Sequence, residues 1–224
     1  MAQKLIIGLT GGIGSGKSVA ARLFTLYGIP VYDSDFYAKR LMQTDETVKN
    51  WLIENFGQEV FSPCHCGSSL QSLASDFKTV AGQVRNDSIK KLNTKYLSEK
   101  IFTSPENLQK INKIVHFTVM NDFKNWVENQ NSKIVIMESA IIFEGGLEKY
   151  FDFTVGVFAD ENTRIHRVMQ RSKLSRAEVE KRIAQQLTPA KIAEKVDFSI
   201  INNENSAIIP QVEKIAVELL KKID

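Results

Sequence analysis

The sequence predicts a doubly wound α/β fold, three layers deep, with helices on both faces of a five-stranded parallel sheet. Three observations carry this expectation. Five short apolar runs recur along the 224 residues, helical patterns separate them, and a glycine-rich turn joins the first run to the first helix. The composition, 43% hydrophobic and 25% charged, suits a single globular domain spanning 1–224.

Leu5-Ile6-Ile7-Gly8-Leu9 is apolar throughout, as a strand covered on both faces must be. From Lys17 to Tyr27, the residues Ala20, Leu23, Phe24 and Tyr27 return at helical spacing, and Gly28 marks the stop. Ile29-Pro30-Val31-Tyr32 is the second strand, and a right-handed crossover from the first makes the sheet parallel. Residues 33–130 are too long for a simple crossover and mostly helical in pattern, which reads as a substrate-binding insertion. Within them, 62–85 is polar and weakly periodic, so a loop is expected. Ser104-Pro105 starts a helix, with serine as N-cap and proline at the first helical position. Leu108, Ile111, Val115, Val119, Phe123 and Trp126 then follow at helical spacing.

Ile134 to Met137, Thr154 to Phe158 and Ser199 to Ile201 complete the sheet. Ser175-Arg176-Ala177-Glu178 has capping-box spacing, and Thr188-Pro189 opens a further short helix. The last helix, from about Ala207 to Lys221, carries Val212, Ile215, Ala216, Leu219 and Leu220 on one face.

A net charge of +3 gives no reason to expect nucleic acid or an anionic membrane as partner. The first residues lack the pattern of a secretory signal, and no segment has the ~20 apolar residues needed to cross a bilayer. A cytoplasmic protein is expected. Cys64 and Cys66 flank His65, but that is half of a zinc site, so a loop with free thiols is the preferred reading.

Gly11 to Ser18 matches G-x-x-x-x-G-K-[ST] in full, after a strand and before a helix. Glycines let the backbone curl around an anion with its N–H groups inward, and the new helix adds its positive end. Gly12, Ile13, Gly14, Ser15, Gly16, Lys17, Ser18 and Val19 are the candidate nucleotide-binding residues. Lys17 is placed to reach the β- and γ-phosphates, and Ser18 to hold Mg²⁺. Asn-Lys-x-Asp and Asp-x-x-Gly motifs of GTPase switches are absent, as is the Leu-Ser-Gly-Gly-Gln signature of transporter ATPases. A kinase remains.

Asp33-Ser34-Asp35 lies at the carboxyl end of the second strand, where open parallel sheets bind ligands. Asp33 is the candidate general base. For Asp35, ordering metal-bound water and capping the next helix stay open as alternatives. Arg164, Arg167, Arg171, Lys173, Arg176 and Arg182 form a basic run that reads either as a lid over 161–187 or as a solvated helix face; the lid is preferred. His116 alone would be a structural histidine.

Together these segments resemble the dephospho-CoA kinase family of P-loop, nucleoside-monophosphate-kinase-like enzymes, over nearly the whole chain. Gly8 to Ser18 is close to G-L-T-G-G-I-G-S-G-K-S, and Val31 to Asp35 resembles V-I-D-A-D. Leu92 to Leu97, with Ile101-Phe102, resembles L-D-R-x-x-L-x-x-x-V-F, and Glu138 to Glu144 parallels D-x-P-L-L-F-E. Arg167 and Arg171 fall on lid arginines, Gln186 on a later glutamine, and Asp197 with Asn202 on A-D-x-x-I-x-N.

The resemblance implies phosphorylation of the ribose 3′-hydroxyl of dephospho-CoA by ATP with Mg²⁺. It implies Asp33, Lys17 and Arg171 as catalytic groups, and Arg167 and Asn202 on the nucleotide. Thr10, Asp33, Asp35, Lys95 and His116 are implied on the acceptor, in a monomer or weak homo-oligomer. Thr94 stands where the family has arginine, a place Lys95 or Arg85 would fill; Phe117 replaces proline and Glu138 replaces aspartate. Residues 62–88 form an insertion without an assigned role. A kinase for a nucleotide or shikimate is the runner-up, and a nucleotide-dependent switch the rival of another class. Intact Lys17, Ser18 and Asp33 argue against a binding module that has lost activity.

Overall fold

Leu5–Thr10 forms β1, the middle strand of a five-stranded sheet in the computed structural model, which describes residues 4–63, 90–102 and 104–223. The chain divides into two compact units, one of residues 1–37 with 122–224 and one of residues 38–121.

In the first unit, β1 leads through the P-loop into α1 (Lys17–Leu26) and then β2 (Val31–Asp33). β5 (Ile134–Glu138), β6 (Phe153–Phe158) and β7 (Phe198–Ile201) complete an all-parallel sheet in the order β2-β5-β1-β6-β7. β1 has β5 on one side and β6 on the other, so strand order reverses there. The crevice at its carboxyl end is where such sheets place their ligands.

Alternation sorts the side chains between two faces. Ile7, Leu9, Ile134, Ile136, Val155 and Val157 join α1 and the last helix, α9 (Ile208–Leu220), in one buried cluster. On the opposite face the buried Tyr32 ring packs edge-on against Phe123 and Trp126 and stacks on Tyr37, and its hydroxyl donates to Asp122 at 2.7 Å. Phe123 and Trp126 lie in the last turns of α5 (Pro105–Glu128). Helices therefore cover both faces, as the sequence predicts.

The sequence reading needs four corrections. The second strand starts at Val31, not Ile29; Pro30 precedes it and accepts from Ile136 N through its carbonyl. Leu108 and Leu220, expected on buried stripes, are 40% and 41% exposed; Leu108 lies in the first turn of its helix and Leu220 at the border of its apolar face. A pair of three-residue antiparallel strands, β3 (Phe61–Pro63) and β4 (Lys90–Leu92), stands at the ends of the expected loop. Tyr27, expected in the first helix, is its C-cap, with Gly28 following at φ 75°.

The second unit is mainly helical. α2 (Ser34–Thr44) enters it, α3 (Glu46–Phe56) is capped by the Asp45 carboxylate on Val48 N, and α4 (Thr94–Phe102) precedes α5. Val48, Leu52, Val60, Leu97 and Ile111 form its core. Cys64, His65, Cys66 and Arg85 lie outside the described residues.

After β6 come α6 (Glu161–Ser172), α7 (Arg176–Ile183) and α8 (Pro189–Ala193). Asp160 caps α6, and Ser175 with Glu178 forms a reciprocal capping box on α7. Hydrogen bonds from Thr163 hold the Asp160 pKa below the ordinary carboxylate value, and those from Ser175 do the same for Glu178. A carboxylate whose folded-state pKa is depressed stabilises the fold above its unfolded value and loses that contribution as pH falls through the lowered one. Asp160→Asn and Glu178→Gln are expected to flatten the acid limb of Tm against pH; an unchanged acid limb would refute the caps' contribution.

β7 is an edge strand, yet its last residue is not bare. The Gln211 amide accepts from Ile201 N at 2.8 Å and donates to Ile201 O at 2.9 Å. No helix among the described residues is long and apolar enough to cross a membrane.

Candidate active site

Three strand ends converge at the switch point. Thr10 closes β1, Asp33 closes β2 and Glu138 closes β5, with Asp33 opposite Glu138 and Glu138 opposite Leu9 in register. The glycine-rich turn begins immediately after Thr10.

Its glycines are demanded by space as well as by dihedral. A Cβ on Gly11, at φ 149°, would stand 2.3 Å from the carbonyl oxygen of Val157. One on Gly14, at φ 79°, would stand 2.5 Å from the Arg164 carbonyl oxygen. Both obstacles are backbone and cannot swing aside. Gly16, left-handed at φ 96°, is the N-cap of α1 without any side-chain cap, so the first N–H groups of the helix face the loop.

The loop is tied down from three elements. Gln186 accepts from Ile13 N at 2.8 Å, Asn202 Nδ2 donates to Ser15 O at 2.8 Å, and Arg164 Nε donates to Ile13 O at 3.0 Å. Asn202 is itself held by its N–H on Phe158 O. Two hydroxyls, Thr10 Oγ1 and Ser15 Oγ, and one guanidinium nitrogen, Arg167 Nη1, are buried here without a hydrogen-bond partner. Arg167 Nη1 lies 3.9 Å from where a Gly16 Cβ would stand. Buried polar groups left unpaired cluster where a polar ligand is to be met. Val19 donates its N–H to Gly16 O, and its side chain is half-exposed.

Lys17 Nζ donates to Gly11 O at 2.7 Å. Burial pushes its pKa down; Glu138 and Asp35 pull it back up, and Arg164 and Arg171 add to the lowering. Ser18 donates its hydroxyl to Glu138 Oε1 at 2.9 Å. Burial raises the Glu138 pKa, the Ser18 bond opposes that, the Asp33 charge raises it again, Lys17 lowers it and Asp35 raises it. Three carboxylates near one lysine make a cation favourable at this spot. Among the described residues no group of three or more histidine, cysteine or acidic side chains is close enough to cage a metal ion. Mg²⁺ fits that chemistry, since it keeps several waters and takes phosphate oxygens beside one or two protein ligands.

Asp33 Oδ1 accepts from Phe36 N at 2.9 Å, so Asp33, not Asp35, caps α2; this corrects the capping alternative offered for Asp35. With Asp35 as cap the helix would begin at Phe36; it begins two residues earlier, at Ser34. Asp33 and Asp35 are both exposed.

The basic run divides by environment. Arg164 is buried behind the loop, Arg167 sits beside Gly16 and Asn202, and Arg171 is exposed but close enough to act on Lys17. Lys173 is the left-handed C-cap of α6, and Arg176 pairs with Glu180 at 2.7 Å on the surface. A single lid face therefore does not describe all six: Arg164 packs inward because it falls on the buried stripe with Ile165 and Val168. Lys95 and His116 belong to the second unit, in α4 and α5, and burial lowers the His116 pKa.

Residues missed as site groups by sequence reasoning are Glu138, Gln186 and Arg164. Their motif positions or charge were visible, but their contacts with the loop span up to 173 residues.

Comparison with known proteins adds independent findings. The dephospho-CoA kinase family model matches residues 5–68 and 65–208. A dephospho-CoA kinase of Bacteroides fragilis is 33% identical over 218 residues, covering 97% of this chain and 94% of that protein. A crystal structure of a Thermus thermophilus protein superposes with a TM-score of 0.74 at 26% identity, covering 99% of both chains. A dephospho-CoA kinase from Campylobacter jejuni gives a TM-score of 0.62 at 20% identity, covering 98% of this chain and 99% of that one, a likeness of fold.

Proposed function

The chain belongs to the dephospho-CoA kinase family, and from that premise we propose that it transfers the γ-phosphoryl group of ATP to the ribose 3′-hydroxyl of dephospho-CoA, giving CoA and ADP. One observation supports this most: Asp33 and the Ser18–Glu138 pair meet the P-loop at the carboxyl ends of adjacent strands.

In this reading the loop N–H groups and the N-terminus of α1 hold the phosphates. Asp33 keeps Oδ1 on Phe36 N, which fixes the carboxylate and leaves Oδ2 to take the proton of the attacking hydroxyl. The hydroxyl oxygen forms the new P–O bond while the bond from the γ-phosphorus to the β,γ-bridging oxygen breaks, and ADP leaves with that electron pair. Lys17 and Arg171 neutralise the charge that builds on the transferring group, and Arg167 and Asn202 position the nucleotide. Ser18, oriented by Glu138, would hold Mg²⁺, which supplies charge neutralisation on the β- and γ-phosphates. Thr10, Asp35, Lys95 and His116 are assigned to the acceptor. Burial lowers the His116 pKa and so favours the neutral imidazole, which can donate from one nitrogen and accept at the other.

The test is ADP release with Mg·ATP and a panel of dephospho-CoA, nucleoside monophosphates and shikimate. Stimulation by dephospho-CoA alone, with the new phosphate located on the 3′-oxygen by NMR, is the expected result. Turnover of another panel member in its place would overturn the acceptor.

A further inference from the structure

Arg164 is 3% exposed, yet it carries a full positive charge behind the phosphate loop. Its Nε bonds Ile13 O, and its Nη2 lies 2.6 Å from where a Cβ on Gly12 would stand. Its own carbonyl oxygen blocks a Cβ on Gly14. One arginine thus touches three consecutive loop residues. It enters no ion pair among the described residues, unlike Arg176, which pairs with Glu180. Glu161, on the preceding turn and exposed, is the carboxylate whose field favours its charge, and burial works against it. Lys17 feels Arg164 as a second cation.

A desolvated guanidinium lacking a carboxylate within reach is unfavourable until an anion arrives. The anion this loop is built for carries several charges. A strut for Ile13 O alone would need only an N–H donor, which a neutral side chain supplies without the burial penalty of a charge.

We propose that Arg164 is a positioning residue for the nucleotide's phosphates, a buried and unpaired cation behind the P-loop that makes the loop discriminate by phosphate charge. It rests on the nucleotide-binding reading above and adds that affinity rises with each phosphate partly through a group the nucleotide never touches. Low dielectric around the guanidinium lengthens its reach, since the field between it and the phosphates passes through protein rather than water.

The experiment compares wild type with Arg164→Gln and Arg164→Lys. Calorimetry gives the Kd for AMP, ADP, ATP and inorganic tripolyphosphate, and thermal melts give ligand-free Tm. Gln keeps a donor for Ile13 O without the charge; Lys keeps the charge. Arg164→Gln is expected to weaken ATP and tripolyphosphate by about tenfold and AMP by less than about threefold, with ligand-free Tm equal to or above wild type. The KM for ATP rises in step, while kcat at saturating ATP moves less than about threefold. Arg164→Lys is expected to restore the ATP-to-AMP affinity ratio.

An equal loss for AMP, ADP and ATP, together with a lowered ligand-free Tm in both variants, would make Arg164 a structural strut and overturn the proposal. Should Arg164→Gln not fold, the lysine variant decides: an ATP-to-AMP ratio more than about threefold below wild type overturns it. Wild type that binds no nucleotide sinks the kinase reading and this inference with it. Wild-type binding beside an unaltered Arg164→Gln ladder overturns this inference alone.

Discussion

Asp33→Asn is expected to lower kcat by about 10²–10⁴-fold while the Kd for ATP moves less than about threefold. The substitution is informative because asparagine separates the capping task of Asp33 from the base role proposed for it. Its Oδ1 caps α2 by accepting from Phe36 N, and an asparagine carbonyl caps a helix about as well as a carboxylate does. The ability to take a proton is lost, so the helix keeps its start and the acceptor hydroxyl loses its base. Asp33→Ala removes both, and its ligand-free Tm should fall below that of Asp33→Asn. Single-turnover kinetics with pre-bound Mg·ATP measure the chemical step directly. A Kd for ATP that collapses while turnover at saturation stays normal would make Asp33 a nucleotide-binding group instead.

Lys17→Ala should be similarly severe, for a different reason. Its ammonium donates to Gly11 O and lies in the field of the Glu138 and Asp35 carboxylates. In a loose transition state negative charge develops on the leaving β,γ-bridging oxygen, so removing a preorganised cation there is expected to reduce kcat by roughly 10³-fold. ATP binding should weaken far less, because the loop N–H groups and the α1 terminus remain. Equal losses in kcat and in ATP affinity, measured by stopped-flow and calorimetry, would place Lys17 on the ground-state phosphates alone.

The parts of this site legible in the sequence are those in which function is local. Gly11 to Ser18 is contiguous, and its dihedral demands are written in glycine. Asp33 was locatable because a strand end can be read from an apolar run and because parallel sheets bind ligands there. Which aspartate caps α2 was not legible, since that turns on a two-residue difference in the helix start. The arginines of α6 posed the same difficulty. Arg164, Arg167 and Arg171 recur at spacings of three and four, so periodicity puts them on one face. Only the packing of Ile165, Val168 and Val179 shows that the buried stripe runs through Arg164. β3 and β4 escaped because three-residue strands are shorter than any period that would reveal them. Gln186 and Asn202 fasten the loop from 173 and 187 residues away, a relation that no local pattern encodes.

The amide of Gln211 on Ile201 has a bearing on how the protein behaves in a crowded solution. The outward N–H and C=O at the end of an edge strand are a template for another chain, and open parallel sheets have two such edges. By occupying both groups with a side chain of its own last helix, the molecule shortens the strand that a neighbour could extend. The same helix that completes the core thus also guards against strand-to-strand self-association, leaving β7 to present its carboxyl end, through Asn202, to the loop.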